Sequence, residues 1–68
     1  MRYLVVIEKA ASGYSGYVPD LPGCVAAGAS AAMVKAALQS AIPFHLEGLQ
    51  ASGERVDQPQ SLGEWVEV

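Results

Sequence analysis

The stretch VPDLPGC at residues 18–24 constrains the fold more than any other part of this sequence. Proline at positions 19 and 22 fixes two backbone φ angles and removes two amide donors, and Gly23 can take a positive φ that other residues resist. The stretch therefore predicts a rigid corner between two strands. Because such a corner loses little conformational freedom on binding, it also suits a recognition loop.

Strand patterns lie on both sides of this corner. Residues 2–8 are apolar on both faces of an alternating pattern, which predicts a central strand. Residues 9–13 predict a hairpin loop, and residues 14–18 a second strand, in which Gly16 either marks a bulge or admits a close neighbour. Residues 24–28 predict the third strand.

The segment after the third strand predicts one main helix. Ser30 is a capping residue for a helix that begins at Ala31. Pro43 lies inside the helical pattern and predicts a kink or a break, and Gly53 predicts the helix end. One apolar face is formed by residues at helical spacing, namely Val34, Leu38, Ala41, Ile42, His45 and Leu49.

The remainder predicts a connection at residues 56–63 and a final strand at residues 64–68, with Trp65 and Val66 on opposite faces. The element order is then βββαβ, an α+β fold in a single domain over residues 1–68. A domain of 68 residues buries only about 60% of the surface of its unfolded chain, so we expect self-association.

Composition and charge exclude several functions. The chain is 51% hydrophobic and 16% charged, which predicts a folded protein. A net charge of -3 with four scattered basic residues argues against direct nucleic-acid binding and suits a basic protein partner. No apolar run approaches the roughly 18 residues of a membrane span. A single cysteine indicates a reducing compartment, and we expect the cytoplasm.

Few residues could carry catalysis, and each has a structural explanation. Cys24 is expected to be a small buried hydrophobe, and His45 a core or subunit-contact residue. Asp20 is expected to bond its own turn backbone. One cysteine and one histidine cannot form a zinc site, and no glycine pattern predicts a phosphate-binding loop, so we predict no metal and no cofactor. A residual hydrolase using Asp20 with Glu8 or His45 is the catalytic alternative.

Several motifs, in order along nearly the whole chain, resemble the HicB family of toxin–antitoxin antitoxins. They are residues 3–8, Gly13-Tyr14, residues 18–25, Gly28, Ala41-Ile42, residues 45–49, Gly53, Pro59 and Ser61. The resemblance implies a partial ribonuclease-H-like fold, with a three-stranded antiparallel sheet, one main helix and a fourth strand that returns beside the first. It implies a protein that is not an enzyme and that neutralises a small basic HicA-like messenger-RNA-cleaving toxin by covering the toxin's active site. The alternative is an orphan homo-oligomeric scaffold, or a module that binds another ligand or protein.

This resemblance also directs attention to particular residues. The candidates for partner contact are Tyr17, Pro19, Asp20, Leu21, Pro22 and Gly23, and the candidates for oligomer or core contact are His45 and Trp65. We expect a dimer or a tetramer. Residues 28–33 lack the acidic first helical turn that is usual in the family. Many relatives continue into a DNA-binding segment, whereas this sequence ends after the predicted last strand, so we predict no DNA binding of its own.

Overall fold

A computed structural model describes all residues, 1–68, and places three strands ahead of one long helix. The elements are β1 (Val6–Ala10), β2 (Gly13–Tyr17), β3 (Val25–Gly28) and α1 (Ala31–Ala51). The strands form one antiparallel sheet in the order β1-β2-β3, and α1 packs on one face of it. The predicted α+β class, the three-stranded antiparallel sheet and the single main helix are confirmed.

The prediction of a central first strand is wrong, because β1 lies at an edge of the sheet and β2 is the central strand. β1 pairs with β2 through partners such as Ile7 and Gly16, and no strand lies on its other side. Tyr3, Val5 and Ile7 pack against the core, while Val6 lies half-buried on the opposite face. Alternation in a sequence shows which faces are apolar, but it does not count the neighbouring strands.

Gly16 is the point where the helix lies closest to the sheet. A Cβ atom on Gly16 would lie 2.7 Å from Val34 Cγ1, 2.9 Å from the Val6 carbonyl oxygen and 3.1 Å from Leu38 Cδ1. The strand pairing continues through Gly16, which faces Ile7 in β1 and Ala26 in β3 without a bulge. Of the two explanations for this glycine, close approach of a neighbour is therefore the right one.

Both ends of α1 follow from local chemistry. The Met33 amide donates to the Ser30 hydroxyl oxygen at 3.2 Å, so the predicted cap and start are confirmed. At the other end Gly53 takes a φ of 74°, and the Glu54 amide donates to the Leu49 carbonyl at 2.9 Å. This is the Schellman arrangement, which confirms Gly53 as the stop signal. Pro43 does not break the helix, which continues through it.

The core is small and is shared between the corner at residues 18–24 and the helix. Its five buried members are Val18, Leu21, Cys24, Val34 and Leu38. Val34 and Leu38 belong to the predicted apolar face of α1, whose other predicted members are only half-buried. The corner is therefore more than a loop. Three of its residues are part of the core and cover one end of it.

The chain beyond the helix forms neither a strand nor a further helix. The predicted final strand, Glu64–Val68, is not formed within this chain, because no other strand lies beside it to supply backbone partners. Trp65 is fully exposed. The radius of gyration is 13.1 Å, against about 11 Å for a compact chain of this length, as expected when one end projects. No helix combines the length and hydropathy needed to cross a membrane.

Candidate functional site

The corner consists of two consecutive β-turns, each with proline at its second position. The Leu21 amide donates to the Val18 carbonyl at 3.0 Å, and the Cys24 amide donates to the Leu21 carbonyl at 3.1 Å. Gly23 has a φ of 87°, the value that the third position of a type II turn requires. The Val18 amide closes the base of the corner by donating to the Cys24 carbonyl at 3.1 Å. These bonds and the two proline rings account for the predicted rigidity.

Asp20 connects the corner to the far end of the chain. The Ser61 amide donates to Asp20 Oδ2 at 3.0 Å, and the Ser61 hydroxyl donates to Oδ1 at 3.2 Å. The expectation that Asp20 bonds its own turn backbone is therefore wrong. A carboxylate that accepts two bonds from one residue holds that residue in place, so Asp20 fixes the path of the chain after the helix.

The residues of the corner divide between the core and the surface. Leu21 is buried, and Pro19 and Asp20 are half-buried, whereas Pro22 and Gly23 are exposed. Leu21 therefore anchors the corner from below. Pro22 and Gly23 form its outer rim.

The sheet has an open face on the side opposite the helix, and Tyr17 lies in it. Strand pairing places Val6, Tyr17 and Val25 in one row across the sheet, and alternation directs all three side chains away from α1. Tyr17 is 41% exposed and Val25 is 66% exposed. We call this row, together with the neighbouring Glu8, the open face. It is an apolar surface with a carboxylate at its side, and it ends at the corner.

His45 and Trp65, the two candidates for oligomer or core contact, lie in different surroundings. His45 is half-buried in α1, and its Cε1 lies 4.0 Å from the position that a Cβ on Gly23 would take, so the imidazole lies near the corner. Trp65 is fully exposed and belongs to no core. Of the two roles predicted for Trp65, contact between copies of the chain stays a prediction.

The candidate catalytic residues Cys24, Asp20 and Glu8 lie in different surroundings. No three residues among His, Cys, Asp and Glu lie close enough together to hold a metal ion. Cys24 is buried, and desolvation raises the pKa of its thiol, so the thiol stays protonated at neutral pH. Asp20 is occupied by Ser61, and β1 places Glu8 on the open face.

The sequence did not predict the positions of two residues in this region: Ser61 as the hydrogen-bond partner of Asp20, and Val25 on the open face. Ser61 lies 41 residues from Asp20, and no local pattern indicates that their side chains meet. The exposure of Val25 was predictable from the sequence. Successive side chains of a strand point to opposite faces, so with Cys24 in the core Val25 lies on the open face.

Comparison with known proteins gives consistent relatives. Residues 3–68 match the family model described as "HicB_like antitoxin of bacterial toxin-antitoxin system". The chain is 33% identical over 66 residues to the protein named "Uncharacterized 14.9 kDa protein in rep-hol intergenic region" of Haemophilus phage HP1, covering 97% of this chain and 50% of that protein. It thus spans half the length of this relative. The fold is similar to a chain of the solved "HicA3 and HicB3 toxin-antitoxin complex", with a TM-score of 0.72, 32% identity, and coverage of 87% of this chain and 70% of that one.

Proposed function

Since this chain belongs to the HicB-like antitoxin family, and is thus a regulatory protein and not an enzyme, we propose that it binds and neutralises a small basic HicA-like toxin that cleaves messenger RNA. Neutralisation occurs by covering the toxin's active site. The single observation that supports this proposal best is the fold similarity, at 32% identity, to a chain of a HicA3 and HicB3 complex. A toxin that acts on messenger RNA is met in the cytoplasm, where the lone reduced Cys24 is also stable.

The surface proposed for the toxin is the open face together with the rim of the corner. Tyr17 and Val25 supply exposed apolar area, and Tyr combines such area with a hydroxyl, the combination often found at the centre of protein interfaces. Pro22 and Gly23 lie at the edge of this area in turns that are already formed. Glu8 and the net charge of -3 complement a basic partner and increase the rate of encounter.

The other parts of the proposal concern architecture. We propose a single HicB-like domain over residues 1–68 with a partial ribonuclease-H-like fold, and the order of three strands followed by one helix supports this proposal. The protein works as a homo-oligomer. A small domain with five buried core residues gains stability from association.

The test is coexpression with the small basic protein encoded beside the gene. We expect growth to be restored and a complex to be recovered by size-exclusion chromatography. Failure of both would refute the proposal and favour the orphan scaffold.

Two single substitutions locate the surface. Tyr17→Ala should weaken toxin binding at least about tenfold, as expected for a central interface residue. Phe44→Ala is the matched control, because Phe44 is an aromatic residue of α1 that is 80% exposed and lies outside the open face. Equal effects of the two substitutions on toxin affinity would show that the open face is not the toxin-binding surface.

A further inference from the structure

A cavity of about 330 Å³ lies between the segment that leads into β1 and the middle of α1. We call it the helix cavity. Its volume is at the lower end of the range found for small-molecule sites. The segment contributes Tyr3 and Val5 to its lining, and α1 contributes Lys35, Gln39, Ile42 and Pro43. Because Tyr3 and Val5 pack on the helix side of the sheet, the helix cavity is separate from the open face proposed for the toxin.

The hydroxyl of Tyr3 has no hydrogen-bond partner within the chain. Tyr3 packs against the core, and its hydroxyl oxygen is buried. It is the one buried side-chain polar atom of the chain that lacks a partner. Such groups are rare in folded proteins, because a buried hydroxyl without a hydrogen bond costs free energy. A polar group from another molecule would supply the missing hydrogen bond.

Two polar side chains of α1 border the same cavity. Lys35 and Gln39 lie about one helical turn apart, and neither side chain forms a hydrogen bond or an ion pair within the chain. No acidic residue lines the cavity, so Lys35 makes it positively charged. Both side chains are long and exposed, and a change of their rotamers can open the cavity towards the buried Tyr3 hydroxyl.

The remaining walls are apolar. Val5 faces α1 from the segment, and Ile42 and Pro43 follow Gln39 on the same side of the helix. The rigid ring of Pro43 thus forms part of the wall of a cavity within a helix that continues through it. Apolar walls with a few polar groups at one place are typical of sites that hold a small molecule in one orientation.

We propose that the helix cavity binds a small molecule with a short apolar chain and one carboxylate. The carboxylate accepts hydrogen bonds from the Lys35 ammonium and the Tyr3 hydroxyl, and a bond between charged groups is stronger than one between neutral groups. The apolar chain lies against Val5, Ile42 and Pro43, where it leaves water. This binding would be a second property of the chain, in addition to the proposed binding of a toxin.

The test uses the full chain alone, so its outcome is independent of the toxin experiment. The probes are hexanoate, 1-hexanol and hexylammonium, which share an apolar chain and differ in the head group. Binding is followed by the amide chemical shifts of the protein in NMR spectra. We expect hexanoate to cause saturable shifts that are largest at Val5, Lys35 and Gln39. Its affinity should exceed that of hexylammonium at least about tenfold, as expected for a hydrogen bond between charged groups.

Three results would overturn the proposal. They are the absence of saturable shifts with hexanoate, shifts that are largest on the open face, and equal affinities for the three probes. The last result would show that the cavity takes up apolar chains without recognising a carboxylate.

Replacing Lys35 tests the charge. Lys35→Met keeps an apolar stem and removes the ammonium, and should weaken hexanoate binding about fivefold, the upper value for an exposed ion pair. Lys9→Met is the matched control, because Lys9 is an exposed lysine in β1 that does not line the cavity. Equal losses in the two variants would show that hexanoate responds only to the net charge of the protein, and would contradict the assignment.

Replacing Tyr3 tests the buried hydroxyl. Tyr3→Phe keeps the ring, and two opposite effects are expected: the free protein melts at a higher temperature, because no buried hydroxyl is left unpaired, and hexanoate binds about threefold more weakly or worse. Tyr17→Phe, which removes a hydroxyl from an exposed residue, should change neither quantity. A Tyr3→Phe protein that melts at a lower temperature, or that binds hexanoate as the parent does, would refute the role of this hydroxyl.

Discussion

Replacing Gly16 by alanine adds one methyl group at the closest contact between the sheet and the helix. The new Cβ would lie 2.7 Å from Val34 Cγ1 and 3.1 Å from Leu38 Cδ1, and both of these side chains are completely buried. It would also lie 2.9 Å from the carbonyl oxygen of Val6, which is backbone in the neighbouring strand. The side chains have no free space to enter, so either α1 moves away or the β1–β2 pairing opens.

The magnitude follows from two opposing effects. Overpacking of a filled core costs about 1–3 kcal/mol. Alanine also lowers the conformational entropy of the unfolded chain, which stabilises the folded protein by about 0.4–1 kcal/mol. Two of the contacts lie below 3.0 Å and one of them is to backbone, so the upper part of the overpacking range applies. We therefore expect Gly16→Ala to lower the free energy of unfolding by about 1–2.5 kcal/mol, which for a domain of this size lowers the melting temperature by about 4–20 °C.

Gly48→Ala is the matched control, since the chemical change is the same and the surroundings differ. Gly48 lies in α1, and a Cβ there would meet no atom within 4 Å. Alanine is favoured over glycine inside a helix by about 1 kcal/mol, so this variant should be more stable than the parent. Thermal and urea unfolding followed by circular dichroism, at one protein concentration, measures both variants. A Gly16→Ala protein as stable as the parent would refute the close-packing argument.

Two further predictions concern single residues of the helix and the corner. Pro43→Ala restores an amide donor at an exposed position inside the continuous α1. It should raise the free energy of unfolding by about 1–3 kcal/mol in the same unfolding experiments. An unchanged free energy of unfolding would mean that Pro43 does not destabilise the helix. Burial raises the pKa of the Cys24 thiol, so a thiol reagent should react slowly with the native protein at neutral pH and rapidly after unfolding in urea. Because the folded state retains this proton more strongly, its contribution to stability is complete below the ordinary cysteine pKa of about 8.5 and is lost as the pH rises through the higher pKa of the folded protein. Cys24→Ala should lack this decrease, and equal alkaline destabilisation of both proteins would contradict the assignment.

Local chemistry was sufficient for much of this fold. The Ser30 cap, the Gly53 stop and the two proline turns depend on residues only a few positions apart, so each could be predicted from its own segment. The apolar spacing of α1 likewise identified Val34 and Leu38 as the buried pair. Family membership followed from the order of the same local motifs.

Tertiary structure alone decided the relations between distant segments. The Asp20–Ser61 hydrogen bonds join residues 41 positions apart, and no periodic pattern in the sequence predicts this contact. The edge position of β1 and the exposure of Trp65 depend on which strands are neighbours in space. A sequence carries the preference of Glu64–Val68 for strand structure, but a strand exists only where a second backbone accepts its hydrogen bonds, and within this chain no backbone does.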